Sequence, residues 1–146
     1  MSLAKKFKTD TTAANSGVWF DFTDCPNDDG TVPGFKLARK SSQNKAYAKA
    51  MREFTKEHTT ADGVMDLDDL SEEQAEAAEV NVFVTSLLID WRNFRPTDEK
   101  DVKFTPEVAR ELFLNPDWGD LYRDLSRRCG QASAYRAAQI KAEAGN

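Results

Sequence analysis

Residues 17–40, "GVWFDFTDCPNDDGTVPGFKLARK", decide the fold class of this chain. Large apolar side chains alternate with other residues in "GVWFDF" (17–22), and a period of two with aromatic residues indicates a strand. The stretch 24–34 is rich in Asp, Asn, Pro and Gly, which favours a turn region. "FKLARK" (35–40) then resumes the alternation. We therefore predict a β-hairpin over 17–40, and because an isolated hairpin is marginally stable, other elements must cover its apolar face.

Helical periodicity begins at about residue 43. In "QNKAYAKAMREFTKEH" (43–58) one stripe is apolar, and Asn44 or Ser42 can cap the helix. "LSEEQAEAAEVNVFVTSLLIDW" (70–91) has a capping-box pattern at its start and predicts a central helix that ends near Trp91. The acidic stretch between these two helices is interpreted as a linker.

Two further helix starts are marked by proline. Thr105-Pro106 and Asn115-Pro116 each place a capping side chain before a residue that fits the first helical turn. The tail after Gly130 contains good helix formers and predicts a surface helix, which either frays or is completed by a partner. The predicted class is α+β, mainly α-helical, with an N-terminal β-hairpin packed on the helices.

The length of 146 residues suits one domain. We predict a flexible N-terminal arm over 1–16 and a single domain over 17–146. No apolar run is long enough to span a membrane, and no secretory signal is recognisable, so a cytoplasmic protein with two free cysteines is expected.

The net charge of -5 is unevenly distributed. Residues 35–56 contain seven Lys or Arg and one acid, whereas residues 57–91 contain ten acids and no Lys or Arg. Internal pairing with solvated faces is the simpler interpretation, and head-to-tail contact in a homo-oligomer is the alternative. The overall acidity argues against a nucleic-acid partner.

A search for catalytic chemistry finds no site. The single histidine, His58, falls at a predicted helix end, and one histidine with two distant cysteines offers no zinc spacing. A calcium loop around Gly30 fails, because Cys25 and Lys36 would occupy its first and twelfth positions. We therefore predict no catalytic residues, no metal and no cofactor, and a protein that is not an enzyme.

The order of several motifs resembles that of the tail assembly chaperones of long-tailed bacteriophages. These motifs are "GVWFDF…GFKLARKSSQNKAYAKAM", "LLIDWRNF" followed by a charged loop, and "FTPEVARELFLNPDWGDLYRDLSRRC". The resemblance spans roughly residues 17–138. The loop departs from the pattern, since relatives often have a "DGK"-like glycine where this chain reads "RPTDEKDVKF".

The resemblance implies a non-enzymatic role in the cytoplasm of the host bacterium during phage assembly. Such chaperones bind the long helical tape measure protein, keep it soluble and help to recruit tail tube subunits. Exposed apolar stripes aggregate, and a protein with helical apolar grooves could cover them.

The hypothetical partner-binding surface includes Trp118, Tyr122 and Tyr135. Trp118 follows a helix start next to Gly119, and partly exposed aromatic residues are favoured interface anchors. An ordinary place in the core is an equal alternative for Trp118 and Tyr122, whereas Phe104 is assigned a structural role before the Thr105 cap. A structural tail component retained in the virion is the alternative function, and a small enzyme comes third.

Overall fold

A computed structural model of the protein describes residues 2–8, 10–59, 61, 63 and 71–144. Within these residues, three antiparallel strands form a sheet in the order β1-β2-β3. The strands are Val18–Asp21 (β1), Gly34–Leu37 (β2) and Leu88–Arg92 (β3). The helices are Leu3–Phe7 (α1), Thr11–Ser16 (α2), Lys45–Glu57 (α3), Glu72–Ser86 (α4), Pro106–Leu114 (α5), Gly119–Cys129 (α6) and Ala132–Ala144 (α7), with a 3-10 turn at Pro116–Trp118. The α+β class and the N-terminal hairpin are confirmed.

The helix that the sequence predicts up to Trp91 ends earlier, at Ser86. The last residues of that stretch form β3, which pairs with β2. Leu88 and Trp91 are both buried although they are three positions apart, which puts side chains on opposite faces of a regular strand. A register shift opposite Lys36 and Leu37 absorbs one extra residue and turns both side chains into the core. The hydrophobic pattern predicted a helix instead of β3, because a short apolar run fits a buried strand as well as a buried helix.

The segment predicted as a flexible arm contains two short helices, α1 and α2. Ala14 in α2 is buried, and its carbonyl accepts a hydrogen bond from the Arg39 N–H. The Asn15 side chain donates to the Gln43 carbonyl at 2.8 Å and accepts from the Lys45 N–H at 3.0 Å. α2 is therefore fixed to the start of α3, and flexibility stays a prediction for the residues that precede it.

The loop after β3 is joined to the turn of the hairpin. The Arg95 guanidinium contacts Asp29 and Asp101, each at 2.7 Å. Hydrogen bonds from Thr31 and from Arg95 hold the pKa of the Asp29 carboxyl well below its ordinary value. The Asn27 side chain also donates to the Asn93 carbonyl at 2.8 Å. The charged loop is thus a structural joint between the hairpin and α5.

The predicted helix starts are confirmed where the structure describes them. Ser71 and Gln74 form a reciprocal capping box before α4. Thr105 accepts from the backbone of α5, and Asn115 accepts from the 3-10 turn. Asn44 rather than Ser42 caps α3. The acidic linker predicted between α3 and α4 falls largely outside the described residues.

The core lies between the inner face of the sheet and helices α4 to α7. Phe35 in β2 is at its centre, where its ring meets Trp91 and Phe94 edge to face. Phe83 in α4 extends the same cluster to Phe113 in α5. Phe104 packs on Trp91 with ring centroids 5.0 Å apart, while its predicted role as a staple for the start of α5 stays a prediction. These contacts fix α4 as the central helix of the described fold.

Candidate functional site

Tyr135, one of the three aromatic residues predicted to bind a partner, is a core residue. It is 4% exposed, and its hydroxyl donates to the Ala38 carbonyl at 2.7 Å. Its ring packs edge to face on Phe20 at 5.2 Å. Burial is the first cause that raises the pKa of the Tyr135 phenol far above its ordinary value. A ring with this packing and a satisfied hydroxyl presents no surface to a partner.

Trp118 and Tyr122 are both partly buried, but they pack on different aromatic neighbours. The Trp118 ring meets Phe94 at 5.5 Å, at the end of the 3-10 turn. The Tyr122 ring meets Phe83 at 5.2 Å and Phe113 at 6.2 Å. The three predicted residues therefore do not form one surface, and Tyr122 borders a concave part of the described molecule.

That concave part is a groove of about 390 Å³ between α3, α4 and α6, which we call the α3/α4/α6 groove. Its apolar wall on one side comes from Tyr47, Met51 and Phe54 of α3. The following side chains complete the lining: Ala78, Glu79, Val82 and Phe83 of α4, Leu87 after it, Tyr122 and Ser126 of α6, and Lys40. An apolar groove with a few polar groups at its edge suits an apolar ligand surface such as one face of a helix.

α3 forms the least covered wall of the groove. None of its residues is buried, although its apolar residues lie on one stripe. Met51 is 36% exposed, and Tyr47 and Phe54 are half-buried. A helix of a folded domain usually buries such a stripe completely. The α3 stripe is therefore only partly satisfied by contacts within the described chain.

Asn44 holds α3 in place at its start. It is 1% exposed, and its side-chain oxygen accepts from the Tyr47 N–H at 3.1 Å. Its side-chain nitrogen donates to the carbonyls of Arg39 and Ser86, at 3.0 and 3.1 Å. One amide thus connects the segment after β2, the start of α3 and the end of α4.

The edge of the groove formed by α4 includes one carboxylate, that of Glu79. The pKa of Tyr122 is raised to about 12, first by burial and then by the charge of Glu79, with a further contribution from Glu76. Both carboxylates are exposed and lie one helical turn apart. At another edge, the Lys40 ammonium donates to the Ser126 hydroxyl at 2.8 Å. The groove lining therefore carries one side chain of each charge, Glu79 and Lys40.

The back of α3 carries a basic stripe. Lys45, Lys49, Arg52 and Lys56 are spaced by four, three and four residues, and all four are exposed. This stripe lies about half a turn away from the apolar stripe. Among the described residues, no ion pair joins the basic segment 35–56 to the acidic segment 57–91, which leaves internal pairing without support there.

Among the described residues, no group of three or more His, Cys, Asp or Glu side chains could hold a metal ion. Burial raises the pKa of the Cys129 thiol to about 12, which disfavours the thiolate that a nucleophile requires. His58 packs on Phe54 with ring centroids 4.5 Å apart. None of the helices in this part is both long and apolar enough to cross a bilayer.

The groove was not predicted from the sequence, although the sequence contains a pattern that indicates it. Met51 and its neighbours were assigned to an ordinary helical stripe, which says nothing about how completely the stripe is covered. The small residues Ala46, Ala48 and Ala50 around that stripe limit how much apolar area α3 can bury. A narrow stripe between charged positions is the available sequence signal for a helix with a partly open face.

A comparison with protein-family models gives one match over most of the chain. The model described as "YdaY prophage protein" matches residues 42–146. The matched region begins just before α3 and includes every residue that lines the groove except Lys40. No significant match was found among curated proteins or among solved structures.

Proposed function

Since the chain belongs to the YdaY prophage protein family, we propose that it is a tail assembly chaperone that binds the tape measure protein and helps to recruit tail tube subunits. The prophage family supports the phage origin of this proposal. The finer role is supported by the motif order over residues 17–138 and by the open groove. In this proposal the protein acts in the host bacterial cytoplasm without catalysis or cofactor, and needs neither nucleic acid nor a membrane.

The groove supplies the physical basis of the proposal. A tape measure helix exposes apolar stripes until the tail tube surrounds it, and exposed apolar surface drives aggregation. A helix laid in the α3/α4/α6 groove would bring its stripe against Met51, Phe54 and Tyr122. The exposed part of the α3 stripe would lose its contact with water at the same time. One contact therefore removes apolar area of both proteins from water, which stabilises the complex.

The single observation that carries the proposal is the incomplete cover of α3. Its apolar stripe faces a groove of about 390 Å³, while the helix itself has no buried residue. Trp118 packs against the core at Phe94 and does not line the groove, and Tyr135 belongs to the core. Tyr122 is the one residue of the predicted partner surface that lines the groove.

Co-expression with the tape measure protein of the same prophage tests this proposal. The wild-type protein should keep the tape measure protein in the supernatant and co-purify with it. Met51→Lys should abolish co-purification, because it puts a charge on the apolar wall. Ile140→Lys makes the same chemical change at an apolar residue of α7 that is 66% exposed, and should leave co-purification intact. Equal co-purification by both variants would reject the groove as the binding site.

A structural tail component retained in the virion remains the second candidate. The sheet order leaves β1 and β3 as outer strands, and an outer strand can pair with a strand of another subunit. Mass spectrometry of purified particles distinguishes the two functions. A chaperone should be absent from mature particles, whereas detection in amounts comparable to the tail tube protein would establish the structural role.

A further inference from the structure

Two side chains of opposite charge line the α3/α4/α6 groove. Glu79 of α4 lies beside the ring of Tyr122, whose pKa responds to the charge of this carboxylate. The Lys40 ammonium donates to the Ser126 hydroxyl at 2.8 Å. The two α6 residues that these charges meet are one helical turn apart. The remaining lining between the two charges is apolar.

The backbone separates these charges along the groove. The Ala38 N–H donates to the Leu87 carbonyl at 2.7 Å, so Lys40 follows the point where the chain after β2 meets the end of α4. Glu79 lies eight residues before Leu87, which is about 12 Å along the axis of α4. The groove therefore has an acidic end at Glu79 and a basic end at Lys40.

Neither charge is neutralised by another described residue. The ion pairs within the described chain include neither Glu79 nor Lys40. The hydroxyl that Lys40 contacts is uncharged, and the Glu79 side chain is exposed. A ligand that lies along the groove can therefore meet one opposite charge at each end.

An apolar groove alone does not fix the direction of a bound helix. Burial of apolar area is non-directional, so a helix with one apolar stripe can lie in the groove either way round. Charges at the two ends distinguish the two directions. One direction brings opposite charges together, and the other brings like charges together.

We propose that the groove selects a helical segment whose apolar stripe has a basic residue at one end and an acidic residue at the other, and holds it in one direction. The basic end lies at Glu79 and the acidic end at Lys40. This inference rests on the proposed function, since the segment belongs to the tape measure helix. Glu79 and Lys40 determine specificity, whereas Met51, Phe54 and Tyr122 supply the apolar contact.

The spacing of such a segment follows from helix geometry. A basic and an acidic residue seven positions apart lie on one helical face and are about 10 Å apart along its axis. Apolar residues three and four positions after the first of them fall between the two charges on the same face. This length is comparable to the length of the groove along α4.

Binding of three synthetic peptides measures the selection. All three carry this apolar stripe and are cross-linked on the opposite face to hold them helical, and their flanking residues are one Lys and one Glu, two Lys, or two Glu. By fluorescence anisotropy at about 0.15 M salt, the wild type should bind the peptide with one Lys and one Glu about 5-fold more tightly than the others. Equal affinity for the three peptides, or binding of none, would overturn the proposal.

Charge reversal at one end should change which peptide binds best. Glu79→Lys makes both ends basic and should favour the peptide with two Glu, whereas Lys40→Glu should favour the peptide with two Lys. Glu111→Lys and Lys103→Glu change the net charge by the same amounts at exposed positions outside the groove and should keep the wild-type order. Circular dichroism would verify that each variant is folded. An unchanged order in either groove variant would overturn the proposal.

Cross-linking determines the direction of the peptide with one Lys and one Glu. The start of α3 is bonded to the end of α4, so Tyr47 lies at the Lys40 end and Phe54 towards the Glu79 end. Benzoylphenylalanine in place of Phe54 should label the Lys end of the peptide, and in place of Tyr47 the Glu end. Glu79→Lys/Lys40→Glu keeps the net charge and should reverse this order. The same order in both proteins, or both peptide ends labelled from each position, would overturn the proposed direction.

Co-purification separates this inference from the proposed function. Equal binding of the three peptides, together with loss of tape measure co-purification in Met51→Lys, would reject the charge selection and leave the proposed function standing. Retained co-purification by Met51→Lys would reject the groove as the tape measure site, and the inference about its ligand would fall with it.

Discussion

Replacing Asn44 by aspartate should destabilise the protein strongly at neutral pH. The Asn44 amide is buried and donates to two carbonyls, those of Arg39 and Ser86. Asn44→Asp keeps the oxygen that accepts from the Tyr47 N–H and removes both donors. The introduced carboxylate would then face two carbonyl oxygens without a donor between them.

The expected loss can be built from the individual contacts. Two lost hydrogen bonds that leave buried carbonyls without a donor cost about 2 kcal/mol together. A buried carboxylate adds a desolvation penalty of about 2 kcal/mol. The total of about 4 kcal/mol is a large share of a typical unfolding free energy of about 5–15 kcal/mol. For a chain of this length it corresponds to a fall in Tm of about 10 °C.

The loss should depend on pH in a defined direction. Only the protonated carboxyl can donate to a carbonyl, so folding raises the pKa of the introduced group above its unfolded value of about 3.9. Its favourable contribution is then fully present below about pH 4 and is lost as the pH rises through the folded pKa. The difference in unfolding free energy between wild type and variant should therefore shrink from pH 7 to pH 4.

Urea unfolding at both pH values measures this difference. Asn115→Asp is the matched control, because Asn115 is an exposed cap whose side chain accepts from the Asp117 N–H and donates to no described carbonyl. It should change the unfolding free energy by less than about 0.5 kcal/mol. A loss below 1 kcal/mol at pH 7 for Asn44→Asp, or a loss unchanged at pH 4, would refute the role assigned to the amide.

Three further predictions concern the fold and its titratable groups. Gly17→Ala should lower the unfolding free energy, measured in urea, by about 3 kcal/mol, because φ is +82° and a Cβ would lie 2.9 Å from a backbone oxygen of β2. Gly30→Ala should lower it by only about 1 kcal/mol, because φ is also positive, at +87°, but the space around the position is open. Tyr135→Phe should lower the unfolding free energy by about 1 kcal/mol through loss of the hydroxyl bond to Ala38, without affecting co-purification of the tape measure protein. Burial raises the pKa of the Cys129 thiol from 9.0 to about 12. The contribution of the neutral thiol to the unfolding free energy is therefore complete below pH 9 and is lost as the pH rises from 9 to 12. Cys129→Ala should make the alkaline fall in unfolding free energy less steep.

Local chemistry made the helix starts predictable. Ser71, Thr105 and Asn115 each cap the element that follows them, because a side-chain acceptor before an N–H-rich helix start acts within three residues. The hairpin was predictable for the same reason, since its alternation and turn are both local. Signals that act over a few residues can be read from one sequence without knowledge of the fold.

Features set by distant partners were not predictable in this way. β3 exists because β2 offers an outer edge, and its bulge brings Leu88 and Trp91 to one face. Tyr135 is buried because α7 crosses β1 and places its hydroxyl at Ala38. The short helix α2 is fixed by Asn15 to residues about thirty positions away. In each case the cause lies in a contact that periodicity does not encode.

The candidate site shows the same limit. The apolar stripe of α3 was visible in the sequence, but its exposure depends on how far α4 and α6 cover it. Tyr122 lines the groove, whereas Tyr135, which the sequence grouped with it, lies in the core. The value of Tyr122 as a binding residue stays a prediction.

Photo-cross-linking from the α3 wall tests the central claim most directly. Benzoylphenylalanine would replace Met51 in one variant and Ile140 in another, each co-expressed with the tape measure protein. The account predicts a covalent adduct with a defined tape measure segment from position 51 and none from position 140. No adduct from position 51, or equal adducts from both positions, would contradict the claim that the α3/α4/α6 groove holds a tape measure helix.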